Sequence, residues 1–331
     1  MMAAATSFSS EDKSSSRLSG LFSEPAREKL RLLRKRFKKT WAIYRHNRLG
    51  MLGLFILMGF ILVAVFAPQV IQVCAWIGDW EIAYDPFYRD ESVDDESPPS
   101  PEHWLGTDSM NRDLFTRIIY GARVSLLVGL VATAVSMGLG TAVGLLGGYW
   151  GGVKDEVLMR ITDVFLVIPW LALMIVFAAV LPGGPSVTKI ILVIGITGWS
   201  STARIVRAQV FSVKERTFVE RAKAIGAGDY HIVVKHIFPN VFPLMFANAI
   251  LTIAISILSE STLSFIGLGP HSSEVVTWGN ILENADNALA IQRGLYWWVA
   301  VPGLCIVGVV LAFTFIGNAL DEVFNPRLRR R

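Results

Sequence analysis

VSLLVGLVATAVSMGLGTAVGLLGGY, residues 124–149, carries no charged side chain from end to end. A helix needs about 20 apolar residues to cross roughly 30 Å of hydrocarbon, and this stretch supplies them. Within it Gly140, Gly144 and Gly148 recur every fourth residue, the small-xxx-small pattern that lets two helices approach closely. Two partners suit that stripe, a second copy of the chain or another helix of the same chain, and the second is favoured.

Five further stretches have the same character. The first runs from Leu49 to Ala67 with Pro68 as its stop. Another covers Ile161–Leu181 around Pro169, where proline is tolerated if neighbours satisfy the freed carbonyl. Val187–Ala203 is interrupted by Gly195 and Gly198, and Lys189 near its start can snorkel to an interface. Phe242–Leu258 and Tyr296–Ala319, the latter containing Pro302, complete the set. Of 331 residues 53% are hydrophobic and 18% charged, against about 25% charged in a typical soluble domain. The expected fold is an all-α integral membrane protein with six transmembrane helices. Residues 1–26 are rich in Ser and Ala and lack an apolar core, so they read as a cytoplasmic tail rather than a cleavable signal, with the first span as an uncleaved anchor. The chain divides into that tail (1–40), a first helix with an external segment (41–123), a core of five spans (124–320) and a basic cytoplasmic terminus (321–331).

Charge alternates in step with these spans. Up to Arg48 there are twelve Lys and Arg against four acids, and in 204–240 seven against three. In 79–123 there are four against eleven, and in 261–295 one against three. The positive-inside rule places both termini and the 204–240 loop in the cytoplasm, with 79–123 and 261–295 outside. A prokaryotic plasma membrane is the expected location. The basic residues sit beside apolar spans rather than on a folded face interleaved with aromatics, which argues against nucleic acid.

Enzymatic signatures are missing. No G-x-x-x-x-G-K-[ST] loop occurs, and Gly147, Gly148, Gly151 and Gly152 read as a flexible cytoplasmic turn. Neither a G-x-S-x-G elbow nor an H-E-x-x-H helix is present. His231 and His236, five apart, would lie on different faces of a regular helix, so no metal pair is expected there. Cys74 and Cys305 read as small buried hydrophobes, and no cofactor is expected. Asp163, Lys189 and Glu260 fall near span ends, leaving the cores without the acid that a proton-coupled carrier needs. The driving energy is therefore expected to come from elsewhere.

The loop between the fourth and fifth spans carries most information. Lys214–Ile225 has the pattern of a short amphipathic helix, Gly226 and Gly228 break it, and Asp229 can cap a second helix that Pro239 closes. Two short helices at right angles would form a rigid knob able to pass a push into the spans. An amphipathic helix on the lipid surface, held by Arg216, Arg221, Lys223 and Lys235, fits the pattern equally well.

Phe218-Val219-Glu220-Arg221-Ala222-Lys223-Ala224-Ile225-Gly226-Ala227, ending Ile237-Phe238-Pro239-Asn240, resembles the E-A-A…G…I-x-L-P signature of bacterial ATP-binding-cassette (ABC) importer permeases. Leu105-Gly106-Thr107-Asp108, Asn111-Arg112-Asp113, Ser264-Phe265-Ile266-Gly267-Leu268-Gly269, Trp278-Gly279-Asn280 and Asn325-Pro326-Arg327 narrow the likeness. They are similar to the second permease subunit of dipeptide, oligopeptide and nickel importers over roughly residues 40–330. The resemblance implies the type I importer permease fold. It also implies that Glu220, Arg221, Ala222, Ala224, Gly226, Ala227, Asp229 and Pro239 form the coupling surface for an ATPase. Arg221 stands where the signature prefers Ala, and Phe238 where it prefers Leu. The implied partners are a second homologous permease, two ABC ATPase subunits, an external solute-binding protein and membrane lipid. Peptide is the expected solute, with nickel, an oligosaccharide or another small solute as the alternative. Trp199 and Glu260 are the candidates for the solute pathway.

Overall fold

The computed structural model describes residues 31, 32, 34, 35, 38, 40–78 and 85–324. The Ser-rich tail and the basic terminus beyond Phe324 lie outside the described residues. Residues Met1–Asn47 and Arg48–Arg331 form separate compact units. In the first, the described residues 40–44 are helical, and the rings of Trp41 and Tyr44 stack at 5.9 Å.

Among its described residues the regular secondary structure of the second unit is helical, apart from one isolated bridge between Thr107 and Asp113. In order it holds α1 (Arg48–Val65), α2 (Ala67–Gly78), α3 (Leu114–Trp150), α4 (Gly152–Val167), α5 (Trp170–Val180), α6 (Val187–Thr197) and α7 (Trp199–Lys214). Then come α8 (Thr217–Ala224), α9 (Asp229–Ile232), a π-helical turn (Val233–Ile237), α10 (Phe238–Phe265), α11 (Trp278–Asn287) and α12 (Tyr296–Phe324).

Four helices are long and apolar enough to cross a membrane: α1, α3, the continuous run Asp229–Phe265, and α12. Two bent pairs, α4–α5 and α6–α7, raise the number to six if each is one span. The six expected spans thus correspond to four unbroken helices and, where each bent pair is one span, two broken ones. Pro169 caps α5 and turns it 99° from α4, because proline cannot donate the next intrahelical bond and clashes with the preceding turn. Gly198 bends α6 from α7 by 40°. Pro68 follows the end of the first span as expected, that end falling at Val65 rather than Ala67. It lies in the first turn of α2, where a missing N–H costs nothing. The boundary expected between residues 123 and 124 falls inside α3, because Asp113 caps that helix ten residues earlier by accepting from the Thr116 amide at 2.7 Å. Gly147 and Gly148 belong to α3, and the expected turn shrinks to Gly151 and Gly152, both with positive φ.

α3 lies at the centre, packed against α1, α6, α7 and α10. Of its most apolar window 44% is buried within the chain, against 17% for α1, which marks α1 as peripheral. The glycine stripe explains the closest of these contacts. A Cβ at Gly140 would stand 2.5 Å from the Trp199 carbonyl, at Gly144 2.6 Å from the Ala203 carbonyl, and at Gly148 2.8 Å from Val210. The stripe is therefore a seam within the chain, between α3 and α7. Large apolar side chains such as Phe55, Val164 and Val167 are exposed, as expected where lipid or another protein replaces water.

Candidate functional site

The segment expected to contact an ATPase begins with α8, which buries Val219 and Ala222 and exposes Glu220, Arg221, Lys223 and Ala224. Val219 and Ala222 join a cluster with Val206, Val210, Val213, Ile232 and Ile237, so α8 is seated on α7 and on the root of α10. Gly226 ends α8 at φ +84°, with the Ala227 amide donating to the Ala222 carbonyl at 3.0 Å and the Gly226 amide to that of Lys223 at 2.9 Å. This is a helix terminus of the Schellman type, whose left-handed position suits glycine. Ile225 and Tyr230 flank the turn with 85% and 80% of their surface exposed. Ala227 is half-buried between them.

Two expectations fail in the second half of the segment. Asp229 is the first residue of α9 and not its cap. That position is held by Gly228, which provides no side-chain bond. Nor does Pro239 close a short helix, because the chain stays helical from Asp229 to Phe265. The widened turn at Val233–Ile237, where the Phe238 amide donates to the Val233 carbonyl, accommodates the proline. Asn240 Nδ2 donates to the His236 carbonyl at 2.7 Å. The same turn brings the rings of His231 and His236 to 5.8 Å, contrary to the separation a regular helix would impose. Among the described residues no group of three His, Cys, Asp or Glu is arranged to hold a metal ion.

Tyr149, which the sequence reading passed over, ties the segment to the bundle. Its hydroxyl donates to Asp229 Oδ1 at 2.6 Å. Its carbonyl accepts from Lys214 Nζ at 2.5 Å. The ammonium groups of Lys214 and Lys223 lie 5.6 and 5.5 Å from the centre of its ring, within cation–π range. The last turn of α3, the end of α7, α8 and the start of α9 therefore meet at one side chain. The available signal was the Tyr149-Trp150 pair closing an apolar span, the usual place for aromatics at an interface. Beside this node Arg207 donates to both carboxylate oxygens of Asp155 at 2.5 Å, joining α4 to α7.

At the other end of the bundle, segment 85–113 is fastened to the chain around 272–278. Asp108 accepts from Arg112 Nε at 2.7 Å, and Arg112 and Arg117 both donate to the Ser272 carbonyl, at 3.1 and 3.4 Å. Trp278 Nε1 donates to the Ile118 carbonyl at 3.0 Å, and Thr277 with Asn280 forms a capping box for α11. Arg293 pairs with Glu96. His103 is buried between Asp113, at 3.0 Å, and Asp90, at 3.4 Å. Burial pulls its pKa down, but the two carboxylates outweigh that and leave it raised. Asp90 is lowered, chiefly by the hydroxyl of Ser92.

Glu260 and Trp199 are both interior. Glu260 is fully buried and accepts from Ser125 and Ser264, each at 2.9 Å, while the Trp278 amide donates to the same Ser125 hydroxyl at 3.3 Å. This clamp joins α3, α10 and α11. Trp199 opens α7 with its ring on Phe165 at 5.2 Å. Cys74 and Cys305 are half-buried and unpaired.

An apolar helical bundle bearing a polar helix-turn-helix locked to its longest helix has the construction of a transport permease. Comparison with known proteins agrees. Residues 140–330 match the family described as binding-protein-dependent transport system inner membrane component, and residues 35–99 match the N-terminal transmembrane domain of oligopeptide transport permease C. Dipeptide transport system permease protein DppC of Bacillus subtilis is 34% identical over 88% of this chain and 86% of its own. Oligopeptide transport system permease protein OppC of the same organism is 33% identical over 89% and 90%. Glutathione transport system permease protein GsiD of Pectobacterium atrosepticum is 33% identical over 81% and 88%. A chain of the MetNI methionine ABC transporter, crystallised facing inward, superposes with a TM-score of 0.51 at 17% identity, covering 63% of this chain and 97% of its own, and shares the fold. This chain belongs to the family of binding-protein-dependent transport system inner membrane components. It is a multi-pass membrane permease of the type I importer fold, and the family is one of transport subunits rather than enzymes.

Proposed function

We propose that this chain forms half of the pathway of an ATP-driven importer for short peptides in a prokaryotic plasma membrane. Both termini face the cytoplasm, a second homologous permease completes the pathway, two ABC ATPase subunits supply the energy, and an external binding protein delivers the solute to 85–113 and 266–295. The peptide class rests on relatives named for dipeptide, oligopeptide and glutathione transport. The carrying observation is mechanical: the turn around Gly226 is bonded through Asp229 to Tyr149 at the end of α3, and it leads without a break into α10. A displacement of Glu220, Arg221, Ala224 and the exposed Ile225 and Tyr230 by an ATPase would thus be delivered to two long helices. A helix resting on lipid would not need that bracing.

Affinity purification of the tagged chain from its native membranes, with mass spectrometry of its companions, tests this reading. Recovery of a P-loop ATPase and a second permease supports it. A stable, monodisperse chain recovered alone would refute it. Glu220→Ala should lower peptide uptake while the permease remains inserted.

A further inference from the structure

We propose that the cleft at the break between α4 and α5 is a subsite that holds the peptide backbone of the solute in transit, an inference that rests on the peptide-importer reading above. Ile168 and Pro169 are both extended, with ψ of 131° and 122°. Irregular backbone at membrane depth is not left facing lipid; it lies within protein or lines a wet cavity. A cleft of about 370 Å³ opens at this break, near the small end of the roughly 300–1,000 Å³ range of ligand pockets.

Its walls offer both halves of amide recognition. Phe165 at the end of α4 has a carbonyl whose partner one turn on would be Pro169, which has no N–H. Pro169 caps α5 without a side-chain bond, so the amide of Trp170, which lines the cleft, has no carbonyl one turn back. The other walls bring hydroxyls: Ser136 from α3, Ser200 and Ser201 from α7, and Ser256 from α10. Ser136 is the most telling. It is 1% exposed, it lines the cleft, and its Oγ has no hydrogen-bond partner. A buried hydroxyl without a partner is unfavourable unless something that enters the site completes it.

Thr197 and Thr252 also line the cleft, their hydroxyls donating to carbonyls of their own helices. The rest of the lining is mainly apolar, including Trp170, Ile194 and Ile255, and no lining residue bears a formal charge. Neutral donors and acceptors beside apolar wall fit a peptide backbone with side chains of varied identity. A bare metal cation would meet no carboxylate, imidazole or thiolate in this lining.

The test uses the importer reconstituted with its ATPases, second permease and binding protein, and trialanine as probe. With Cys74 and Cys305 replaced by Ser, Ser201→Cys places a thiol on the exposed part of the lining. Its rate of reaction with a small charged thiol reagent is measured during ATP turnover. Saturating trialanine should slow that reaction several-fold, whereas maltotriose should leave it unchanged. Uptake of trialanine with Cys at 201 labelled at the same rate would overturn the subsite. Protection by maltotriose but not by trialanine would overturn the peptide class. If the unsubstituted importer takes up no trialanine, the peptide-importer reading fails and this inference falls with it. Should the Cys variant not assemble, Ser136→Ala decides: the KM for trialanine should rise several-fold more than the maximal rate falls, and an unchanged KM would refute the proposal.

Discussion

The hydroxyl of Tyr149, in the last turn of α3, donates to the carboxylate of Asp229, the first residue of α9, at 2.6 Å across eighty residues of chain. Everything between them, the α4–α5 break, the bent α6–α7 pair and the turn at Gly226, is enclosed by this bond. Hydrogen bonds to charged groups contribute about 1.5–3 kcal/mol, and Asp229 is exposed, so solvent reduces this one to the lower end or below. Tyr149→Phe keeps the ring for Lys214 and Lys223 and removes only the bond. The expected outcome is less solute moved per ATP hydrolysed, with the complex intact. An unchanged ratio would take this bond out of the path by which motion is transmitted.

Gly226 separates conformation from space. A side chain there would meet nothing within 4 Å, yet φ is +84°. Gly226→Val should cost roughly 1–3 kcal/mol of local backbone strain and weaken retention of the ATPase in pull-downs. Gly226→Asn should retain more of it, since Asn tolerates the left-handed region. Equal binding by both variants would show that the turn is not held in this conformation when docked.

The seam between α3 and α7 makes a contrasting pair with a control. Gly144→Ala sets a methyl 2.6 Å from the Ala203 carbonyl, whereas Gly138→Ala meets nothing within 4 Å. Overpacking of this kind costs about 1–3 kcal/mol. Thermal unfolding in detergent should fall for Gly144→Ala and hold or rise for Gly138→Ala. Similar melting of the two would mean that the helices slide apart at little cost.

Glu260 is predicted to hold together the end of the bundle that carries 85–113. Glu260→Ala strands the hydroxyls of Ser125 and Ser264 and leaves a void, so a loss of about 2–4 kcal/mol is expected from the unsatisfied groups and the cavity. Glu260→Gln keeps the shape and an acceptor and should lose less. The check is thermal unfolding, together with protease sensitivity of 266–278. Equal, small effects would contradict the clamp.

His103 gives segment 85–113 a pH response. Its folded pKa is raised by Asp113 and Asp90 above its ordinary value of about 6.5. Its stabilisation is therefore full below that ordinary value and is lost as pH rises through the raised one. Hydrogen exchange in residues 97–113 should quicken on that rise, after correction for the intrinsic pH dependence of exchange, and His103→Phe should abolish the step. A step that persists in the variant would assign the response elsewhere.

The sequence by itself determined the membrane class, the placing of the apolar segments and the position of the turn at Gly226. Each is written in local chemistry: uncharged runs of spanning length, and the glycine of α8's terminus within an amphipathic pattern. The tertiary structure decided what depends on two distant segments at once. A stripe such as Gly140, Gly144 and Gly148 announces close approach but not to what, and only folding set α7 against it. Pro169 and Pro239 look alike in sequence, yet one stands at a 99° bend between α4 and α5 and the other rides through a continuous helix. The difference lies in the π turn before Pro239, which widens the backbone enough to admit the ring. Tyr149 and Glu260 were undecided for the same reason. A polar side chain in an apolar segment acquires its role from the partners that burial leaves it, and those partners are assembled from across the chain.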